Sequence, residues 1–205
     1  MSTAVTLFGP DRIIPKSELA KDYTNYDSDY AKYPIDVARF RRVVQMVAEK
    51  SGWGKQKMGN GFGMGLAVHR SFLTYVATVV QLEVQDKQVK IKRVDTALDA
   101  GTIVNPTIVK QQFEGAAVMG TGIAYYGEIT ATNGVIDQSN FDTFQVARIN
   151  VAPRETNTYI VDSDAPPAGV GEPGLPPVAP AIYNAIFAAT GKRYREMPLS
   201  KLGLA

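Results

Sequence analysis

The stretch from Gly59 to Gly101, "GNGFGMGLAVHRSFLTYVATVVQLEVQDKQVKIKRVDTALDAG", restricts the possible folds more than any other part of the chain. It is dense in valine and threonine, whose branched Cβ atoms suit a pleated, half-buried surface better than a helix. The polar "QDKQ" interrupts it and reads as a turn between two strands. After that turn, "VKIKRV" alternates apolar and basic residues, the pattern of an antiparallel strand with one buried face. A chain built around this stretch must form a sheet and cover it.

Helical patterns flank the sheet. In "PIDVARFRRVVQMVAEKSG", Val37, Phe40, Val44 and Val47 recur at helical spacing, while Arg39, Arg41, Arg42 and Lys50 fall mostly on the other face. Asp36 suits the start of that helix and Gly52 its end. A second helix is expected from about Thr107, with small residues at Gly115, Ala116, Gly120 and Gly122. Glycine inside a helix costs about 0.5–1 kcal/mol relative to alanine, so these positions imply close packing. "ITATNGVIDQ" reads as a hairpin turning at Asn133-Gly134, and "TNTYIVDS" as a further strand. "PPVAPAIYNAIFAATGKR" reads as a third helix, with Pro177 or Pro180 near its first turn and Gly191 just past its end. Strands and helices without regular alternation predict an α+β fold, a mixed sheet with packed helices. Residues 1–33, polar and tyrosine-rich, read as an irregular arm, and residues 34–205 as one domain.

Composition removes several function classes. The 205 residues carry no cysteine and one histidine, His69, so side chains here cannot build a thiolate zinc site, an iron–sulfur cluster or a His-rich metal site. No metal ligand is expected from this chain. The net charge of +2 is dispersed, with no basic groove, so nucleic acid is not an expected partner. No apolar run approaches the roughly 18 residues of a membrane span, and the N-terminus lacks a signal-peptide pattern. A soluble protein, cytoplasmic or periplasmic, is the expectation.

Glu172 is the residue most suggestive of chemistry. It stands in "GVGEPG", between Gly171 and Pro173, with glycines that give backbone freedom and a proline that holds Glu172 extended. A fixed carboxylate beside the apolar "PPVAP" suits a general base, although a solvated turn explains the residues as well. "GNGFGMG" has the glycines of a phosphate loop and lacks its lysine and Ser/Thr, so a flexible entry to the next strand is the preferred reading. "DAGTIVNP" reads as a tight loop between strand and helix, with Gly101 needed for its shape. His69 in "LAVHRSF" reads as a packed strand residue.

In this order, "LAVHRSF", "DAGTIVNP", "QQFEGA", "YGEIT", "QSNF" and "GVGEPGLPPVAPAIYNAIFAATGKR" resemble the C-terminal part of the molybdopterin-binding large subunit of the xanthine oxidase family. The branch is that of isoquinoline 1-oxidoreductase and aldehyde dehydrogenase, and the last motif is the most specific. The resemblance runs from about Leu7 to Leu199. It implies a molybdenum-cofactor-binding fold, with the metal held by molybdopterin, in the cytosine dinucleotide form usual in bacteria, and not by side chains. It also implies that Glu172 is the base that deprotonates a water-derived nucleophile, for hydroxylation of an N-heterocycle or oxidation of an aldehyde. By the same resemblance Gln112 contacts the pterin, and the backbone of Ala168, Gly169, Val170 and Gly171 lies against the cofactor.

Large subunits of that family are several times longer than this chain. The resemblance therefore implies partners: the N-terminal part of the large subunit or an equivalent chain, and a separate iron–sulfur subunit. Alone, the chain is not expected to bind the cofactor or turn over. The alternative expectation is a non-catalytic, self-associating module that keeps the fold, exposes an apolar face and forms homo-oligomers.

Overall fold

A computed structural model describes residues 35–55 and 58–205. The arm expected over residues 1–33 lies outside the described residues. The fold is α+β. A four-stranded sheet carries helices on both faces, beside a small separate hairpin.

The valine- and threonine-rich stretch forms three antiparallel strands: β1 (Phe62–Ser71), β2 (Thr74–Gln85) and β3 (Gln88–Asp99). Asp86 and Lys87, both at positive φ, make the turn expected within "QDKQ". A second turn, not expected from sequence, lies at Phe72 and Leu73, with φ of 48° and 67°. Such turns normally recruit Asn and Gly because bulky residues resist positive φ, so no turn residue announces this one. Strand β6 (Glu155–Ile160) pairs parallel to β3 and makes the sheet mixed.

One face of the sheet is covered by α1 (Val37–Ser51). Asp36 caps it by accepting from the N–H groups of Ala38 and Arg39, and Gly52 closes it in the left-handed region. Val43, Val44 and Val47 are buried against Leu66, Tyr75, Ala77 and Val79. Val37 is 44% exposed, contrary to the periodic expectation, because it starts the helix beyond the sheet's cover. Arg39 also departs from its expected outward face: its guanidinium grips the buried Asp99, with Nε to Oδ2 at 2.9 Å and a second bond to Oδ1 at 2.6 Å.

The other face is covered by α2 (Pro106–Tyr126) and α3 (Val178–Thr190). Asn105 caps α2, accepting from Thr107 and Ile108, with Pro106 in the first turn. Helix α3 starts after Pro177 and ends at Gly191. Asn133 and Gly134, at φ of 51° and 82°, turn the hairpin of β4 (Ala131–Thr132) and β5 (Val135–Ile136), the geometry of a type I′ turn.

The "GNGFGMG" glycines have a packing role. A Cβ on Gly63 would lie 2.1 Å from the carbonyl oxygen of Ala185, and one on Gly65 would lie 2.2 Å from both Ala181 O and Ala185 N. Both residues lie within β1, where bare backbone lets α3 rest directly on the strand. Gly59 to Gly61 form the turn that enters β1, as expected, and close packing of α3 accounts for Gly63 and Gly65. Among the small positions of α2, Gly120 admits Val178 and Gly122 admits Ala147, whereas Gly115 faces open space.

Candidate active site

The segment from Ala165 to Pro177 crosses the end of the sheet before entering α3, and the protein fixes it at several points. Ala165 accepts from the Thr102 N–H at 2.9 Å, and the Ala168 N–H donates to Ala100 at 2.9 Å. Gly169 is held twice: its N–H donates to the Phe72 carbonyl, and its own carbonyl accepts from the Thr74 hydroxyl at 2.6 Å. Gly101, at φ 68°, lies so close that a Cβ there would meet the Pro166 carbonyl oxygen at 2.2 Å. The "DAGTIVNP" loop and the unexpected Phe72–Leu73 turn thus form a clamp on the segment.

Asp99 anchors that clamp. It is fully buried, accepts from Arg39, and accepts the Gly101 N–H at 3.2 Å. Burial by itself would raise its pKa. The bonds from Arg39, Gly101 and Ser163 outweigh burial and hold the carboxyl below its ordinary range. The sequence signal for this pair was weak, since Asp99 reads as a loop residue and Arg39 as a surface one.

Of the three loop glycines, Gly169 and Gly174 owe their place to contact, and none of the three occupies the left-handed region. A Cβ on Gly169 would strike Phe72 Cβ at 2.7 Å, and one on Gly174 would strike Phe113 at 2.9 Å. Pro173 and Gly174 are buried, and the Leu175 N–H closes a turn onto the Glu172 carbonyl at 2.9 Å. Glu172 sits at the head of this turn with its flanking backbone fixed and its side chain exposed. The neighbouring prolines do not cover it, so the apolar shielding suggested by sequence is not supplied by "PPVAP".

Gln112, on the exposed side of α2, reaches the same place. Its Nε2 would lie 3.8 Å from a Cβ on Gly171. Ala168 and Val170 pack their side chains onto the cluster of Val76, Leu98, Ala100, Val109 and Phe113. Of the sequence-selected residues, Gln112, Gly171 and Glu172 therefore share one exposed edge, while Ala168 and Gly169 spend their N–H groups inside the protein. Any ligand here would meet the Gln112 amide and the backbone from Val170 onward.

His69 also belongs to this neighbourhood and is, as expected, a packed strand residue, on β1. Its Nε2 is buried without a hydrogen-bond partner. Burial lowers its pKa, opposed by the negative charge of Glu172. Strand alternation places His69 on the same face as Gly63 and Gly65, the face that α3 covers. That alternation was the available signal.

The site is an open edge. Cavities of about 280 and 340 Å³ lie beside the hairpin and the following loop, lined by residues such as Tyr126, Phe141 and Arg148, and neither includes a residue of the 165–177 segment. Among the described residues no three His, Cys, Asp or Glu side chains gather to hold a metal ion, and no helix is long and apolar enough to cross a membrane.

Comparison with known proteins follows the same lines. Residues 28–153 match the family model for the molybdopterin cofactor-binding domain. The chain belongs to that family. The isoquinoline 1-oxidoreductase subunit beta of Brevundimonas diminuta is 34% identical over 161 residues, which is 77% of this chain and 20% of the relative. The membrane-bound aldehyde dehydrogenase (pyrroloquinoline-quinone) of Gluconacetobacter polyoxogenes is 36% identical over 163 residues, covering 77% of this chain and 21% of that one. In fold, the aldehyde oxidoreductase of Desulfovibrio desulfuricans ATCC 27774 superposes with a TM-score of 0.54 at 23% identity, over 62% of this chain and 14% of that chain. The resemblance to molybdenum-binding subunits of the xanthine oxidase family holds, and the chain spans about a fifth of the length of these relatives.

Proposed function

We propose that this chain is the C-terminal catalytic portion of a molybdenum hydroxylase, with Glu172 as its general base. The observation that carries this reading is the convergence of Glu172, Gly171 and the Gln112 amide on one exposed edge, held by a clamp of the protein's own bonds. The arrangement suits a molybdopterin. An amide side chain and irregular backbone offer the mixed donors and acceptors that a pterin heterocycle requires, and no side-chain metal ligand is needed. Gln112 and the backbone of Val170 and Gly171 would touch that group, while Ala168 and Gly169 hold the segment in place. When bound, the group supplies Lewis-acid and two-electron redox chemistry. The cytosine dinucleotide form is part of the proposal.

The chain's own contribution is a proton acceptor at a fixed place. The Glu172 backbone is restrained by Pro173 and by the turn to Leu175, so its side chain starts from a fixed point next to Gly171, which Gln112 approaches. Its Oε atoms would take a proton from water at that edge and later release it, which is general base catalysis. An N-heterocycle or an aldehyde is the proposed substrate class. The open edge supplies one wall of a site, and the rest of the large subunit or an equivalent chain would supply the others, with an iron–sulfur subunit accepting electrons.

Glu172→Gln in the assembled enzyme tests this reading. General base catalysis is typically worth 10²–10⁴-fold, so turnover should fall by about that factor with molybdenum content unchanged. Retained turnover would overturn it.

A second reading has its own support: α2 exposes Ile108 and Met119, 53% and 61% accessible, and Val104 just before it is 91% accessible. Such a face suits association, including a self-associating module without catalysis. Sedimentation of the chain as a clean monomer at micromolar concentration would count against self-association.

A further inference from the structure

The packing of α3 on β1 has a definite register. Gly63 lies under Ala185 and Ala189, and Gly65 lies under Ala181 and Ala185. Two residues along the strand therefore correspond to about four residues backward along the helix, as expected for antiparallel elements rising about 3.3 and 1.5 Å per residue. His69 lies two residues beyond Ala67 on the same strand face and pairs with Val76, whose cluster includes Ala168 and Val170, so His69 lies beside the segment that precedes α3. The electrostatic coupling between His69 and Glu172 agrees with this placement.

His69 has an unused group there. Its Nε2 is buried without a partner, a costly arrangement for a polar atom unless something completes it. Its strand neighbour on β2 is Val76, which offers no side-chain partner. Glu172, on the same segment, carries an exposed side chain; its carbonyl accepts from the Leu175 N–H, and the bonds of Ala168 and Gly169 to Ala100, Phe72 and Thr74 fix the segment three to four residues before it.

We infer that His69 is a positioning residue for Glu172, its imidazole N–H donating to the carboxylate and holding one oxygen while the other is left to accept a proton. This rests on the reading of Glu172 as the base. It gives the strand histidine a role: a neutral imidazole beside the carboxylate fixes its rotamer without neutralising it, which a cation would do. No bond is made or broken at His69.

The chain has a single histidine, so its imidazole signals are unambiguous in a nitrogen-15 spectrum of the full chain. Titration of wild type and Glu172→Gln compares His69 with and without the neighbouring charge. The midpoint should fall in the variant by about half a pH unit, a factor of about three in the protonation equilibrium. Coincident titration curves overturn the pairing. Glu172 is exposed, so the substitution leaves the fold intact, and matching far-ultraviolet circular dichroism checks this. In the assembled enzyme, His69→Ala should lower kcat about tenfold with KM unchanged, and His69→Gln, which keeps an N–H donor, should restore most of it. Equal loss in both variants overturns the positioning role. Failure of the underlying reading looks different: turnover that survives Glu172→Gln removes the base, whatever the imidazole does in the titration.

Discussion

The α3–β1 interface and the outer side of α2 use glycine for opposite ends. Under α3, Gly63 and Gly65 are buried, and the missing Cβ atoms are replaced by helix backbone at 2.1–2.2 Å from where they would sit. On α2, Ile108, Gln112, Gly115 and Met119 fall at i, i+4, i+7 and i+11, one exposed stripe in which Gly115 meets nothing within 4 Å. The first interface is complete within the chain. The second has the composition of an interface and no covering element among the described residues. Stability resides in the first region, and the candidate chemistry lies along the second, where Gln112 reaches Gly171.

The largest expected effect breaks the closed side. In Gly65→Val, the added Cβ would stand 2.2 Å from two backbone atoms of α3, which no rotamer change relieves. The helix must lift from the strand, and the loss should be about 3 kcal/mol or more. A urea titration of the full chain should show a collapsed or non-cooperative transition. A midpoint close to wild type would mean that α3 does not rest on β1 as described.

Asp99→Asn comes next, because it leaves the Arg39 guanidinium half-paired beside a fully buried position. Breaking one partner of a buried pair typically costs about 3–5 kcal/mol, and because the asparagine oxygen still accepts from Arg39, the loss should fall at or below the low end of that range. The same change should alter the acid limb of stability. The folded-state pKa of Asp99 is depressed, so its contribution is complete above the unfolded value of about 3.9. It disappears as pH falls through the folded value, and stability in Asp99→Asn should be less sensitive to pH in that window. Identical acid limbs would show that Asp99 is not the charged anchor of the clamp.

A smaller effect of opposite sign is expected at the β1–β2 turn. Leu73 holds φ of 67° and is 42% exposed, so Leu73→Gly should relieve about 1 kcal/mol of backbone strain and raise the urea midpoint. Phe72 differs from Leu73 because it packs over Gly169. A lowered midpoint for Leu73→Gly would mean that this side chain contributes to the clamp as well.

How far the sequence was legible follows the same division. Helices α1, α2 and α3, the Asp86–Lys87 and Asn133–Gly134 turns and the strands could be read because their signals are local: caps, periodicity and branched residues. The Phe72–Leu73 turn could not, since neither residue favours positive φ and the clamp that enforces it lies nearly a hundred residues away. The Arg39–Asp99 pair was hidden for a similar reason, sixty residues apart and each misleading alone. At the candidate site, Glu172 stood out through its neighbours Gly171 and Pro173, and Gln112 through family resemblance. His69 was visible only as a strand residue, because its relation to Glu172 depends on how the segment before α3 packs over β1 and β2. Packing register is a property of two elements, and neither sequence segment encodes it alone.

The smallest effect sharpens the contrast between the two glycine sets. Gly115→Ala adds a methyl group into open space in the middle of a helix, where alanine is favoured by about 0.5–1 kcal/mol. The full chain should therefore become slightly more stable, with the urea midpoint raised and the slope unchanged. A lowered midpoint would mean that the stripe is already covered in the chain as it stands. The informative step is the same variant with the rest of a large subunit present. If that partner packs against Gly115 as closely as α3 packs against Gly65, the methyl group should weaken association while stabilising the chain itself. Opposite signs for one substitution would identify the stripe as an interface that the chain presents and does not itself complete.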